Sequence, residues 1–304
     1  MSYLEELQES AARAAGAAGP AVVRIGRGQG RGAGVVVDPG VVVTNAHNLR
    51  GAETTVTFVD GRRETATVAG VDVDGDVAVL TVDTGDVAPV AWAPADVDPA
   101  LGSAVFALAN HAGNGLRVGF GLVSSVGRTF RGPRGRRVSG SLEHTAPLGR
   151  GSSGGPVVDT EGRLVGINTH RLGEGFYLAL PADAALRARV DQLARGEVPT
   201  RRRLGVGLAP AFAARKLRRA VGLPERDGLL VRVVEEGGPA QRAGLREGDL
   251  IVEAGGRAVT NPDDIFDVLD ALDADAPLAL RIVRGVDELD VRLGFDDTTE
   301  DGSA

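Results

Sequence analysis

Short apolar runs broken by glycine and polar residues fill the first two-thirds of the chain: Ala21–Ile25, Val35–Val37, Val41–Val43, Thr54–Val59, Thr65–Val71, Val77–Val82, Ala104–Ala109, Gly119–Val126, Val157–Val158, Leu164–Asn168 and Phe176–Leu180. Val- and Ile-rich runs of this length, bounded by turn residues, are strands. Their number predicts two six-stranded β-barrels packed together. Behind Asp183, the residues Ala185, Leu186, Val190 and Leu193 recur at helical spacing, which predicts a helix over Pro181–Leu193 closing a domain at 21–193. Residues 194–203 are polar and contain Gly196 and Pro199, the composition of a linker.

Beyond it the pattern changes to strands mixed with two helical stretches. The strand runs are Leu204–Leu208, Gly228–Val234, Leu250–Ala254, Leu278–Val283 and Glu288–Leu293. The second helix is announced by Asn261 as cap, Pro262 at the first helical position and Asp263 and Asp264 in the first turn. Ile265, Val268, Leu269 and Leu272 then share one face. Residues 204–296 therefore predict an α+β second domain, with an N-terminal segment at 1–20 and a polar tail at 297–304.

Composition narrows the chemistry. The 304 residues are 43% hydrophobic and 25% charged, which supports buried cores. A net charge of −7 disfavours binding to polyanions such as nucleic acid, and the absence of cysteine excludes disulfides and thiolate metal sites. Residues 1–20 carry Glu5, Glu6 and Glu9 without a basic start or an apolar stretch. No signal peptide is read there, and no uncharged apolar run is long enough to span a membrane. As written, the chain would stay in the cytoplasm.

Gly151-Ser152-Ser153-Gly154-Gly155-Pro156 places a hydroxyl beside backbone N–H groups that nothing bulky shields. A serine hydroxyl is a weak nucleophile near neutral pH and needs a base within reach and a group to orient that base. Ser153 is the candidate nucleophile, with Ser152 as its rival, and the N–H groups of Gly151 and Ser153 are the candidate oxyanion donors. His47, at the end of the Val41–Val43 strand, is the candidate base; His111, His144 and His170 read as structural or solvated. Asp76 leads into the strand Val77–Leu80 and is the candidate acid. The run from Asp72 is not a calcium loop, because Val77 and Asp83 stand where that loop needs glycine and glutamate.

The order His, Asp, Ser, together with Thr44-Asn45-Ala46-His47, Gly75-Asp76-Val77-Ala78-Val79-Leu80, the Gly151–Pro156 run and Leu164-Val165-Gly166-Ile167-Asn168-Thr169, resembles the HtrA (Deg) family of serine proteases. That resemblance implies a chymotrypsin-like double β-barrel followed by a C-terminal α+β PDZ domain. It also implies endoproteolysis of unfolded or damaged proteins, with His47, Asp76 and Ser153 as the triad and no cofactor. Arg203-Leu204-Gly205-Val206 and Ala243–Ile251 resemble the PDZ unit. By that likeness Leu204, Gly205 and Val206 form the loop that holds a peptide C-terminus, with Ile265 and Leu269 as pocket walls. Relatives often form trimers through N-terminal segments, of which this chain offers little beyond Tyr3 and Leu4, and they mostly work outside the cytoplasm.

Two departures stand out. Gly149-Arg150-Gly151-Ser152-Ser153 replaces the family's Asn-Pro-Gly-Asn-Ser, and Tyr177 stands where a glycine precedes Phe-Ala-Ile-Pro. They motivate an alternative reading, a weak or inactive chaperone or adaptor that keeps the protease fold. The segment Arg128–Arg137, with five arginines, reads as an activation loop, not as a nucleic-acid patch.

Overall fold

The computed structural model describes every residue except Met1, 28–30, 95–98, 112–114, 132–136, 174, 198–201, 274–275 and 296–304. Part of the expected linker, part of the expected Arg128–Arg137 loop and the polar tail lie outside the described residues. The chain divides into two compact units, Met1–Pro199 and Thr200–Ala304.

The first unit holds two closed barrels. Strands β1 (Val22–Ile25), β2 (Gly32–Asp38), β3 (Val41–Thr44), β4 (Glu53–Thr57), β5 (Arg63–Asp72) and β6 (Val77–Thr81) close in the order β1-β2-β3-β6-β5-β4. The second barrel comprises β7 (Ala104–His111), β8 (Gly115–Arg131), β9 (Arg137–His144), β10 (Pro156–Val158), β11 (Leu164–Gly173) and β12 (Phe176–Pro181), in the order β10-β11-β12-β9-β8-β7. Strands such as β1 and β6 are almost wholly buried, which is why they read as unbroken apolar runs instead of alternating ones. Fully buried Ile25, Phe58, Leu80, Phe106, Leu108, Leu164 and Ile167 anchor a shared core.

Three elements differ from the expectation. Strand β9 was not foreseen, and Arg128 and Arg131 lie on β8, with Arg137 on β9, instead of in a loop. The N-terminal segment forms helix α1 (Tyr3–Ala18), opened by a capping box of Ser2 and Glu5 and seated against β7, β8 and β10 with Ala14 and Ala18 fully buried. Leu7 is the one large side chain packed there beside Ala11, Ala14 and Ala18, so no large apolar stripe marks it. Helix α2 (Ala184–Ala194) starts after Pro181, which still pairs with Gly166 in the sheet; Asp183 caps it by accepting from the Leu186 N–H at 2.7 Å.

The second unit is a five-strand antiparallel path, β13 (Val206–Ala209), β14 (Leu229–Val234), β15 (Leu250–Ala254), β17 (Leu278–Arg284) and β18 (Asp287–Leu293), with the short β16 (Arg257–Ala258) paired to β15. Helices α3 (Ala211–Ala220), α4 (Pro239–Arg242) and α5 (Pro262–Asp270) flank it. Strand β13 lies at the sheet edge. Between it and α5 runs an apolar groove of about 530 Å³ bordered by Leu204, Gly205, Val206, Ile265, Phe266 and Leu269. The carbonyls of Leu204 and Gly205 accept from the N–H groups of Ala240 and Glu235. Among the described residues, the N–H groups of Leu204 and Gly205 make no backbone hydrogen bond.

Candidate active site

Register places the candidate acid beside the candidate base. Thr44 of β3 pairs with Ala78 of β6, so the residues just past those strand ends, Asn45 to His47 and Asp76, emerge side by side. Asn45 Nδ2 donates to the Asp76 carbonyl at 2.9 Å, and the His47 backbone N–H donates to Asp76 Oδ1 at 3.2 Å. His47 Nδ1 lies 2.9 Å from both carboxylate oxygens. Thr169 Oγ1 donates to Oδ2 at 2.6 Å. Asp76 is fully buried and has φ +56°, the only positive φ outside glycine among the described residues. Aspartate tolerates this left-handed geometry better than most residues, and the surrounding bonds hold it there.

The candidate nucleophile arrives from the second barrel. Pro156 of β10 pairs with Ile167 of β11, and the pairing continues through Asn168 N–H to the Gly155 carbonyl (2.9 Å) and Gly154 N–H to the Asn168 carbonyl (2.7 Å). This sets Ser153 opposite Thr169, whose carbonyl accepts from Ser153 Oγ at 2.8 Å. The Ser153 carbonyl in turn accepts from Ala33 N–H (2.8 Å) and Asn48 Nδ2 (2.9 Å), both on the first barrel. A side chain at Gly154, φ +89°, would collide with the Ala33 carbonyl and the Thr44 hydroxyl, and one at Gly155 with the Leu108 carbonyl. The two glycines are therefore a condition of the barrels meeting at this point.

Thr169 thus touches both ends of the constellation, its hydroxyl on Asp76 and its carbonyl on Ser153. Among the described residues no hydrogen bond joins Ser153 Oγ to His47; the hydroxyl rests on Thr169. The N–H groups of Gly151, at φ +83°, and of Ser153 have no protein acceptor among the described residues and remain available. Ser152 is separated from its neighbour by burial, 3% exposed with its Oγ unpartnered.

Sequence reasoning missed the support beneath this loop. His144 is fully buried, stacked on Tyr177 with ring centroids 5.7 Å apart. Its Nε2 is 2.9 Å from Asn168 Oδ1, and its Nδ1 accepts from the Ala146 N–H at 3.2 Å. An acceptor role at Nδ1 and an oxygen at Nε2 together define a neutral ring protonated on Nε2. Tyr177, buried as well, donates its hydroxyl to the Leu148 carbonyl at 3.3 Å, so its ring props up the segment leading to Gly151. His170, read as structural or solvated, packs edge-on to His47 at 5.7 Å and against Phe130 at 4.8 Å. Burial lowers the pKa of both His144 and His170; the hydrogen bond to Asn168 opposes this at His144, and the Asp76 charge opposes it at His170.

A buried neutral histidine links stability to pH. The unfolded ring takes a proton near pH 6.5 while the folded ring resists it, so this contribution is complete above about 6.5 and is lost as pH falls toward the lowered folded value. The loss proceeds at up to about 1.4 kcal/mol per pH unit. His144→Gln should therefore show a shallower fall in thermal midpoint between about pH 7 and 5 than the wild type. Parallel curves for the two proteins would contradict it.

Residues 32–167 match the trypsin-like peptidase domain and residues 230–284 the PDZ domain. Over 269 residues the chain is 32% identical to the putative serine protease HhoA of Synechocystis, an alignment covering 84% of this chain and 68% of that protein. The chain belongs to the HtrA/Deg family of trypsin-like serine proteases. Another family member, the chloroplastic Protease Do-like 1 of Arabidopsis thaliana, is 33% identical over 84% of this chain and 61% of its own length. The solved HtrA-type protease AlgW with tripeptide superposes with a TM-score of 0.64 at 27% identity, covering 93% of this chain and 95% of that one. The chain spans roughly half to two-thirds of several curated relatives, 61% of the Arabidopsis protein and 52% of a DegP-like endoprotease from Rickettsia prowazekii. Among the described residues no helix is long and apolar enough to cross a membrane.

Proposed function

We propose that this chain is a serine endopeptidase that cleaves unfolded or damaged proteins, with His47, Asp76 and Ser153 as the catalytic triad. The observation that carries the reading is the meeting of Asp76, His47 and Ser153 around Thr169 beside two unengaged N–H groups. Ser153 Oγ turns from the Thr169 carbonyl to His47 Nε2, gives up its proton and bonds to the scissile carbonyl carbon. The developing oxyanion is held by the Gly151 and Ser153 N–H groups. Protonated His47, stabilised by Asp76, donates the proton to the amine as the C–N bond breaks. Water, deprotonated by the same ring, then adds to the acyl carbon; the bond to Ser153 Oγ breaks, Oγ takes the proton back from His47, and the acyl group leaves as a carboxylic acid.

The second unit is proposed to bind peptide C-termini by strand addition to β13. The free N–H groups of Leu204 and Gly205 would meet the terminal carboxylate, and Ile265 and Leu269 an apolar last side chain. Assembly as a trimer and work outside the cytoplasm belong to the same proposal; the Rickettsia relative's name places that protein in the periplasm.

A serine-reactive fluorophosphonate should modify Ser153, and the protein should cleave a permanently unfolded substrate while sparing its folded form. Absence of both labelling and cleavage would leave the chaperone or adaptor reading.

A further inference from the structure

Next to the nucleophile lies a second concavity that the triad does not use. It has a volume of about 420 Å³ and is lined by Arg27, Arg31, Asn48, Arg50, Glu53 and several threonines of β4 and β5. Three guanidiniums face a single carboxylate there, in a chain whose net charge is −7. Arg27, Arg31 and Arg50 have no ion-pair partner among the described residues. Elsewhere in the first unit Arg62 is matched with Glu64, Arg128 with Glu143, Arg163 with Asp159 and Arg195 with Glu197, while Arg171 and Arg187 lie over the rings of Tyr177 and Trp92. An unmatched group of like charges is held together at a cost in repulsion, which a bound anion relieves.

The place of this pocket says which anion. Asn48 lines it, and the same Asn48 side chain donates to the Ser153 carbonyl. Arg31 stands two residues before Ala33, whose N–H binds that carbonyl too. All of the lining comes from the first barrel. The groups that would hold the acyl half of a substrate, the N–H groups of Gly151 and Ser153, come from the second. His47, which passes the proton to the departing amine, is on the first barrel, next in sequence to Asn48. The amine half of the substrate therefore runs over the arginine pocket.

We propose that Arg27, Arg31 and Arg50 form a specificity site for aspartate or glutamate side chains on the C-terminal side of the cleaved bond, an inference that rests on the protease reading above. Guanidinium forks match carboxylates bidentately, and a cluster of them also raises the encounter rate of acidic segments at low salt.

The test uses the full-length protein and internally quenched peptides, acetylated and C-terminally amidated so that the second unit has no free carboxylate to bind. Members of the set differ only in carrying Glu, Gln or Lys two or three residues after the cleaved bond; a further peptide carries Glu before it. The Glu peptide should exceed the Gln peptide in kcat/KM by about fivefold to tenfold at low salt, the range that two or three exposed arginine–carboxylate pairs supply. The ratio should shrink toward one in half-molar salt. Arg31→Gln combined with Arg50→Gln should abolish the ratio, and Arg50→Glu should turn the preference toward the Lys peptide. Equal wild-type rates for Glu and Gln, a preference surviving the double substitution, or a preference only for the acid placed before the bond would each overturn the proposal. Binding of the same peptides to the Ser153→Ala protein, read by fluorescence polarisation, separates this site from the chemistry. A Glu preference there that the arginine substitutions remove would support the site even if no peptide were cleaved, and equal affinities would refute it.

Discussion

Ser153→Ala is expected to lower kcat on an unfolded substrate by roughly a millionfold, the scale of removing the nucleophile in a serine protease whose triad acts as one unit. Neighbouring hydroxyls offer no substitute. Ser152 is one residue away, yet it is buried, and Thr169 Oγ1 is committed to Asp76. Residual hydrolysis would come from the Gly151 and Ser153 N–H groups and from substrate binding alone, about a thousandfold to ten-thousandfold over water. The fold should hardly notice. Ser153 loses one hydrogen bond to the Thr169 carbonyl, worth about 1 kcal/mol, while its backbone carbonyl keeps both Ala33 and Asn48. The measurement pairs initial rates with a thermal midpoint. A variant that keeps more than a few per cent of activity at an unchanged midpoint would remove Ser153 from the mechanism.

The barrels were largely legible because buried strands leave unbroken apolar runs, and eleven of those runs coincide with strands of the first unit. Strand β9 escaped notice for a physical reason. It buries Ser141, Glu143 and His144, with Glu143 accepting from Ser124 and His144 bonded to Asn168, and beside them Leu142 is its one buried apolar residue among those described, so the sequence Arg-Val-Ser-Gly-Ser-Leu-Glu-His carries little apolar signature. Helix α1 hid for a different reason: alanines and a single leucine, Leu7, make its contact, and alanine does not distinguish a docked helix from a solvated one.

The candidate site divides in the same way. His47, Asp76 and Ser153 stand in compact local motifs and could be picked out one at a time. Thr169, His144, Asn168 and Tyr177 act through strand register, His144 opposite Tyr177 and Asn168 opposite Ala179, and register is a property of pairing, not of any single run. The Leu164–Thr169 segment was recognisable as a family run, but nothing in it announces that one threonine holds the acid with its hydroxyl and the nucleophile with its carbonyl. The unusual Tyr177 likewise gains its meaning only from the Leu148 carbonyl and the His144 ring between which it sits.

Asp76→Asn should cost about ten-thousandfold in kcat with little change in KM, and the reason lies in counting donors. The Asp76 carboxylate accepts from the His47 backbone N–H, from His47 Nδ1 and from Thr169 Oγ1, all of them donors. An amide has one accepting oxygen and one donating nitrogen, so one of those donors must lose its acceptor. If the amide NH2 faces the ring, Nδ1 becomes the acceptor and the imidazole proton moves to Nε2. The base can then no longer take the proton of Ser153, and the imidazolium loses the charge that supports it. Asparagine, like aspartate, accepts the φ of +56° at this position, so the backbone should keep its shape and substrate binding should survive. Asp76→Ala would not separate these effects, since alanine tolerates that backbone poorly and would leave all three donors without a partner in a fully buried site. A loss below a hundredfold in the asparagine variant, with an intact thermal midpoint, would mean that Asp76 does not set the tautomer of His47.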